Sequence, residues 1–191
     1  MIALEWLKEQ KKQKGFQIWA VVTLLLISAL AVEFHILGYG ILKALRYLIL
    51  LCGTGIIGWI DAKKHRIPNK IIAALLVIRT MLLAAEILAH LGYGLSLIIS
   101  AVGGFAFGGV MFGLCYLISR GGMGAGDVKF MAAVGYFMGM GGIFTVSFLS
   151  ILCTGLCSVV LLIFKKIGMK DEMPFAPYVF LGMIITMGLG V

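Results

Sequence analysis

Apolar segments of about twenty residues follow one another along most of the chain, and they constrain its fold more than any other feature. A helix needs about 20 mainly apolar residues to cross the hydrocarbon core of a bilayer. Five segments meet this requirement: residues 16–37, 41–60, 70–88, 95–119 and 143–164. Two shorter apolar stretches cover residues 128–138 and 178–191. We therefore predict an all-α polytopic membrane protein with about six to seven transmembrane helices and short loops.

Basic residues are concentrated at alternate boundaries of these segments. They cluster at residues 8–14, 63–66, 120–129 and 165–170, whereas residues 90–94 and 139–142 have none. Cytoplasmic loops of membrane proteins carry an excess of Lys and Arg. The pattern predicts a cytoplasmic amino terminus and a multi-pass protein of the cell membrane, with Lys43 and Arg46 as exceptions. We interpret the net charge of +8 as this topology signal, so no nucleic-acid binding is predicted.

Two aspartates stand out because acidic residues are scarce: the chain has only 8 Asp and Glu. Asp61 ends the second apolar segment and Asp127 begins the short one, and the charge pattern places both on the cytoplasmic side. An ionisable group between spanning segments is costly and indicates a functional site. Two carboxylates that meet in a poorly solvated place share a proton, so one can act as general base and the other as general acid. This predicts peptide-bond hydrolysis by water, without a metal or cofactor.

Residues around the two aspartates suggest the local backbone. The glycines of residues 121–126 permit close approach of an extended substrate backbone. Pro68 favours an extended conformation at Ile67. Asn69 is predicted to cap the third helix.

Three other groups of residues are assigned structural roles. Glu33 closes the first segment, as an interfacial residue. We expect Arg79 to face the interior of the bundle, and Glu86 to lie on the same helix face but too far away for a tight pair, since seven residues span roughly 10 Å. The four cysteines lie in apolar segments without a nearby His, Asp or Glu, so they are interpreted as small apolar residues and no metal site is predicted: Cys52, Cys115, Cys153 and Cys157.

Three motifs in this order resemble the type IV prepilin peptidase family, membrane aspartic proteases of the Gly-x-Gly-Asp class. Residues 124–129 read Gly-Ala-Gly-Asp-Val-Lys and resemble Gly-x-Gly-Asp-x-Lys. Asp61 is followed by Ile-Pro-Asn at residues 67–69, as in the family. Residues 174–177 read Pro-Phe-Ala-Pro, with Ala176 where the family usually has glycine.

The resemblance implies that Asp61 and Asp127 are the catalytic pair at the cytoplasmic face. It implies that the substrate is the basic leader of a prepilin or pseudopilin, cleaved at the lipid bilayer. The resemblance extends over residues 41–191, so residues 1–40 are interpreted as an additional basic segment and first helix. The motif residues that would support the site are Gly124, Gly126, Lys129, Pro68, Asn69, Pro174, Phe175 and Pro177.

Larger members of this family also carry a domain with paired Cys-x-x-Cys motifs and methylate the new amino terminus. The sequence contains no Cys-x-x-Cys, so the resemblance implies the short form without methyl transfer. Residues 14–16, Lys-Gly-Phe, themselves look like a prepilin cleavage site, but we interpret them as the basic flank of the first helix.

Two alternatives remain open from the residues. A presenilin-type intramembrane protease shares Gly-x-Gly-Asp, but it usually has Tyr-Asp and Pro-Ala-Leu where this chain has Ile-Asp at residues 60–61 and Pro-Phe-Ala at 174–176. An ion- or proton-coupled transporter would use the aspartates as a relay. The sequence predicts neither the oligomeric state nor which prepilin is cleaved.

Overall fold

The structure, a computed structural model, describes residues 14–119, 123–165 and 173–190. Over these residues the chain is helical apart from short connections, which confirms the predicted all-α class. Five of the helices are long and apolar enough to cross a membrane, and the last is shorter. The helices are α1 (Lys14–Ile36), α2 (Ile41–Lys64), α3 (Asn69–Ala89), α4 (Gly94–Ile118), α5 (Ala125–Ile163) and α6 (Ala176–Gly188). The predicted basic segment before residue 14 lies outside the described residues.

The boundary between α2 and α3 differs from the prediction. Because α2 continues to Lys64, Asp61 lies in the last turn of a helix rather than at its edge. His65 ends α2 in a left-handed conformation, with φ 48°. The prediction that Asn69 caps α3 was wrong: Pro68 is the cap residue, in an extended conformation with φ −75° and ψ 112°, and no side chain caps the helix. Asn69 is instead the first helical residue.

Gly139 interrupts α5. Its backbone has φ 75° and ψ −178°, a conformation that glycine adopts readily and other residues avoid. The boundary between the apolar segments 128–138 and 143–164 therefore lies at Gly139. Below, residues 125–138 are called α5a and residues 140–163 are called α5b.

The chain reverses direction at this glycine. Gly104 of α4 packs against the backbone of Gly135 in α5a. Three residues further along α4, the ring of Phe107 lies against that of Phe144 in α5b, with centroids 4.0 Å apart. Since one stretch of α4 contacts residues on both sides of the interruption, α5a and α5b run side by side in opposite directions. Asp127 and the end of α5b consequently lie at the same end of the bundle.

Gly104 and Gly108 form a face of α4 that packs closely on α5a. A methyl group at Gly104 would overlap the carbonyl oxygen of Gly135, and one at Gly108 would overlap that of Met131. Small residues let the backbones of two helices come into direct contact in this way. This contact fixes the height of α5a, and therefore of Asp127, relative to the other helices.

The substitution Gly104→Ala is therefore expected to destabilise the bundle. Overpacking of a well-packed contact costs about 1–3 kcal/mol, and the atom that the methyl meets belongs to the backbone and cannot move aside. Gly155→Ala in α5b is the matched control, because its added methyl would meet no atom within 4 Å. The thermal midpoints of both variants in detergent test this. Equal midpoints for Gly104→Ala and Gly155→Ala would contradict the close packing.

The additional helix α1 packs against α2 and α6. Trp19 donates a hydrogen bond from its indole nitrogen to the carbonyl oxygen of Gly55, at 3.0 Å. At the start of α1 the ring of Phe16 lies edge-on to Trp59, with centroids 5.5 Å apart. Trp59 and Asp61 are two residues apart on a helix, about 200° around its axis, and so face in different directions. The Lys-Gly-Phe sequence thus lies at the start of a helix on the face of α2 that is turned away from Asp61.

Candidate active site

Asp61 is one of the few charged residues buried in the helical bundle. Only 4% of its surface is exposed. Its Oδ2 accepts a hydrogen bond of 3.0 Å from the backbone N–H of Ala176, and the backbone of Phe175 also contacts the carboxylate. Ala176 begins α6, and the first amides of a helix have no acceptor within it. The carboxylate therefore satisfies an amide that would otherwise be unpaired, and α6 holds it in place.

Asp127 occupies the first turn of α5a and is half-buried. Its Oδ2 accepts a hydrogen bond of 3.0 Å from the backbone N–H of Gly124. Its own N–H donates to the carbonyl oxygen of Gly124, also at 3.0 Å. A carboxylate in this position caps the helix and is favoured by the helix dipole. Both aspartates are thus held through Oδ2 by a backbone amide, and a carboxylate has further lone pairs that can bind a water molecule.

The three predicted motifs meet at one end of the bundle. Asp61 and Asp127 are close enough to interact electrostatically. Ile67, which follows Asp61 in the connection to α3, contacts the backbone at Gly126: a Cβ built there would lie 3.2 Å from the Cβ of Ile67. Asp61 also contacts Ala176, from the third motif. Two carboxylates in such a place can share a proton, which is what general acid–base hydrolysis requires.

The residues predicted to support the site occupy different environments. Phe175 is buried, and its ring packs against Phe112 with centroids 5.5 Å apart. Pro177 lies in the first turn of α6, and a Cβ built on Gly58 would lie 3.3 Å from its Cα. Pro68 and Pro174 are half-buried, whereas Gly124, Asn69 and Lys129 are exposed.

Other chemically active side chains are few in the described ranges. No group of three or more His, Cys, Asp or Glu residues lies close enough to hold a metal ion among residues 14–119, 123–165 and 173–190. The cysteines are free thiols, and Cys157 accepts a hydrogen bond of 3.0 Å from the Tyr178 hydroxyl.

A second polar cluster lies at the opposite end of the bundle, and the sequence did not reveal it. Arg79 is buried with 1% of its surface exposed, as predicted. Its Nη1 lies 3.0 Å from Oε2 of Glu86, so the expectation that these two residues are too far apart was wrong. Their long side chains bend along the helix and close the gap. Arg46 of α2 completes the cluster, with its Nη1 3.2 Å from Oε1 of Glu86. This residue was one of the two exceptions to the predicted charge pattern.

Arg79 also stabilises the reversal at Gly139. Its Nε donates a hydrogen bond of 3.0 Å to the carbonyl oxygen of Tyr136. In a continuous helix that carbonyl would accept the N–H of Met140. Here the Met140 N–H donates to Oγ of Ser100 instead, at 3.4 Å. One buried arginine thus joins α3 to the end of α5a and satisfies a carbonyl that the interruption exposes.

Comparisons with known proteins agree with the motifs. A model of the type IV leader peptidase family matches residues 48–160, which include both aspartates. A prepilin leader peptidase/N-methyltransferase from Bacillus subtilis (strain 168) is 27% identical over 166 residues. The matched region covers 87% of this chain and 62% of that protein, so the chain spans less than two thirds of the length of this relative. No solved structure matches the chain significantly.

Proposed function

Because the chain belongs to the type IV leader peptidase family, we propose that it is a membrane aspartic endopeptidase that removes the basic leader of prepilins or prepilin-like proteins. One observation carries the proposal: the segments that contain Asp61 and Asp127 meet at one end of the bundle, where Ile67 contacts Gly126 and Ala176 donates a hydrogen bond to Asp61. Their positions in the family motifs support the assignment of catalysis to them. The amino terminus and the aspartates would face the cytoplasm, as the distribution of Lys and Arg indicates.

In this mechanism the two carboxylates act together on one water molecule. The ionised carboxylate takes a proton from water as the oxygen attacks the scissile carbonyl carbon. The protonated carboxyl gives its proton to the carbonyl oxygen, which forms a neutral tetrahedral intermediate. As the intermediate collapses, the C–N bond breaks and the amine takes up the proton held by the first carboxylate. The hydroxyl proton returns to the second carboxylate, so the pair ends as it began.

The form of the substrate fits this site. A prepilin leader has a basic head followed by an apolar stem, and such a segment inserts in the bilayer with its head on the cytoplasmic side. The bond between head and stem would then lie at the interface, beside the aspartates. Lys129, exposed two residues after Asp127, is a candidate for contact with an acidic group of the substrate or with lipid phosphate.

Cleavage of a panel of prepilins in membranes tests the substrate class. Each substrate carries a basic leader that ends in glycine, and the control is an apolar helix of equal length without a basic leader. The proposal predicts that prepilins are cut after the leader, at a bond identified from the product mass. If no prepilin is cut, the proposed activity is wrong. Equal cleavage of the helix without a leader would favour a presenilin-type protease.

A pair of substitutions at Ala176 tests the hydrogen bond to Asp61. Ala176→Gly keeps the backbone N–H and is expected to change kcat by less than about fivefold. Ala176→Pro removes the N–H and leaves the carboxylate its contact with the backbone of Phe175. A hydrogen bond to a charged group contributes about 1.5–3 kcal/mol, so kcat should fall about ten- to a hundredfold. Thermal midpoints show whether either variant has lost its fold. Equal rates for two folded variants would contradict the role given to this hydrogen bond.

A further inference from the structure

A cavity of about 400 Å³ lies between α2, α3 and α4, at the end of the bundle away from the aspartates. Lys43, at this cavity, and Asp61 are separated by 18 residues of α2, or about 27 Å of helix. Arg46 and Glu86 line its polar side, and Leu42 and Leu97 its apolar side. A volume of this size is typical of sites for small molecules and groups.

The charges around this cavity do not balance. Arg46 and Arg79 share the single carboxylate of Glu86, and Lys43 adds a third cation. Among the described residues Glu33, the other acidic residue at this end, forms no ion pair within 4 Å. Unpaired charge is costly where water is largely excluded. The cavity therefore has an excess of positive charge that an anion would neutralise.

Arg46 has a buried donor that finds no acceptor within the described residues, although its guanidinium lies 4.9 Å from the centre of the Tyr47 ring. Its side chain is 12% exposed, and its Nε is buried without a hydrogen-bond partner in the structure. A buried donor without an acceptor costs about 1–3 kcal/mol. Arg46 Nη1 is already bound to Glu86, so the acceptor that Nε lacks is not supplied by that carboxylate.

Lys43 is held at the cavity without being neutralised. Its Nζ lies 3.8 Å from the centre of the Tyr39 ring, a contact that stabilises the ammonium group and leaves its charge in place. The first turn of α2 also lines the cavity, and its cap residue Gly40 provides no side-chain acceptor. The amides of this turn add partial positive charge on the same side.

We propose that this cavity binds an anionic phosphate group, as carried by an acidic phospholipid. Guanidinium donors and an ammonium group suit phosphate oxygens. The exposed Ile41 lines the cavity at the start of α2, and the end of a membrane-spanning helix is where lipid headgroups lie. Free phosphate has the same chemistry and is the second source to test. The site is independent of the proposed peptidase activity.

Native mass spectrometry of the full, delipidated chain in detergent tests the site. The probes are phosphatidylglycerol, phosphatidylcholine and inorganic phosphate. Lys43→Gln removes one cation outside the Arg46–Glu86–Arg79 cluster and so should leave the fold intact, and Lys43→Arg is the control that retains the charge. We expect phosphatidylglycerol to bind the wild type and Lys43→Arg alike, and Lys43→Gln about tenfold more weakly. Phosphatidylcholine should bind all three equally.

Competition by inorganic phosphate shows whether the bound phosphate group belongs to a lipid or comes from solution. If millimolar inorganic phosphate displaces phosphatidylglycerol from the wild type but not from Lys43→Gln, the site takes phosphate from solution as well, and the proposal stands. If phosphate has no effect while phosphatidylglycerol still discriminates between the variants, the lipid is the source. If phosphatidylglycerol binds the wild type and Lys43→Gln equally, and inorganic phosphate also binds these two proteins equally, the proposal is wrong.

Discussion

Replacing either Asp61 or Asp127 with Asn is expected to reduce prepilin cleavage by about 10²–10⁴-fold, the usual contribution of a general acid or base. Asn removes the ability to exchange a proton but keeps an oxygen that accepts a hydrogen bond. The amides of Ala176 and Gly124 would therefore keep an acceptor, and the fold should survive. The measurement is the rate of leader removal in membranes at matched protein levels.

Glu33→Gln is the matched control for these substitutions. It also exchanges a carboxylate for an amide, but in α1, away from Asp61 and Asp127. Cleavage by this variant is expected to match that of the wild type. An Asn variant at residue 61 or 127 that still cuts at the wild-type rate would show that catalysis does not depend on that aspartate.

Replacing Arg79 with Met is expected to lower the free energy of unfolding by about 2–4 kcal/mol, because Glu86 and the Tyr136 carbonyl each lose a hydrogen bond from a buried, charged donor. The loss includes the hydrogen bond to the Tyr136 carbonyl, beside the Gly139 reversal. Arg79→Lys keeps the charge, but a single ammonium group cannot reproduce the guanidinium contacts with both Tyr136 and Glu86. The midpoint of unfolding of Arg79→Lys is expected to lie between those of the wild type and Arg79→Met.

Denaturant and thermal unfolding in detergent would measure these differences. Arg66→Gln provides the control, since Arg66 is exposed in the connection between α2 and α3, and surface changes usually stay within about 0.5 kcal/mol. Unfolding of Arg79→Met at the wild-type midpoint would mean that the buried cluster contributes little to stability.

The fold class followed from the sequence because the length of an apolar segment is set by the thickness of the bilayer. The ends of the helices differ from the predicted bounds. The end of α2 was predicted at Ile60, but Ala62, Lys63 and Lys64 favour helix and extend it by one turn. Asn69 failed as a cap because the extended Pro68 already occupies the capping position.

The candidate site was predicted from scarce carboxylates and short motifs, yet its geometry was not. The hydrogen bond from Ala176 to Asp61 joins residues 115 positions apart, and no local pattern encodes it. The Arg46–Glu86–Arg79 cluster was missed for a related reason. Helix rise gives the separation of backbone positions, whereas long side chains bend toward a partner, and Arg46 comes from another helix.

The most direct test of the central claim is the rate of prepilin cleavage by the double variant Asp61→Asn/Asp127→Asn, compared with each single variant. Groups that act on one water molecule as a unit have strongly non-additive effects. We predict that the double variant is no slower than the slower single variant, because either substitution alone disables the pair. Losses that multiply in the double variant would contradict a shared catalytic site and indicate two independent roles.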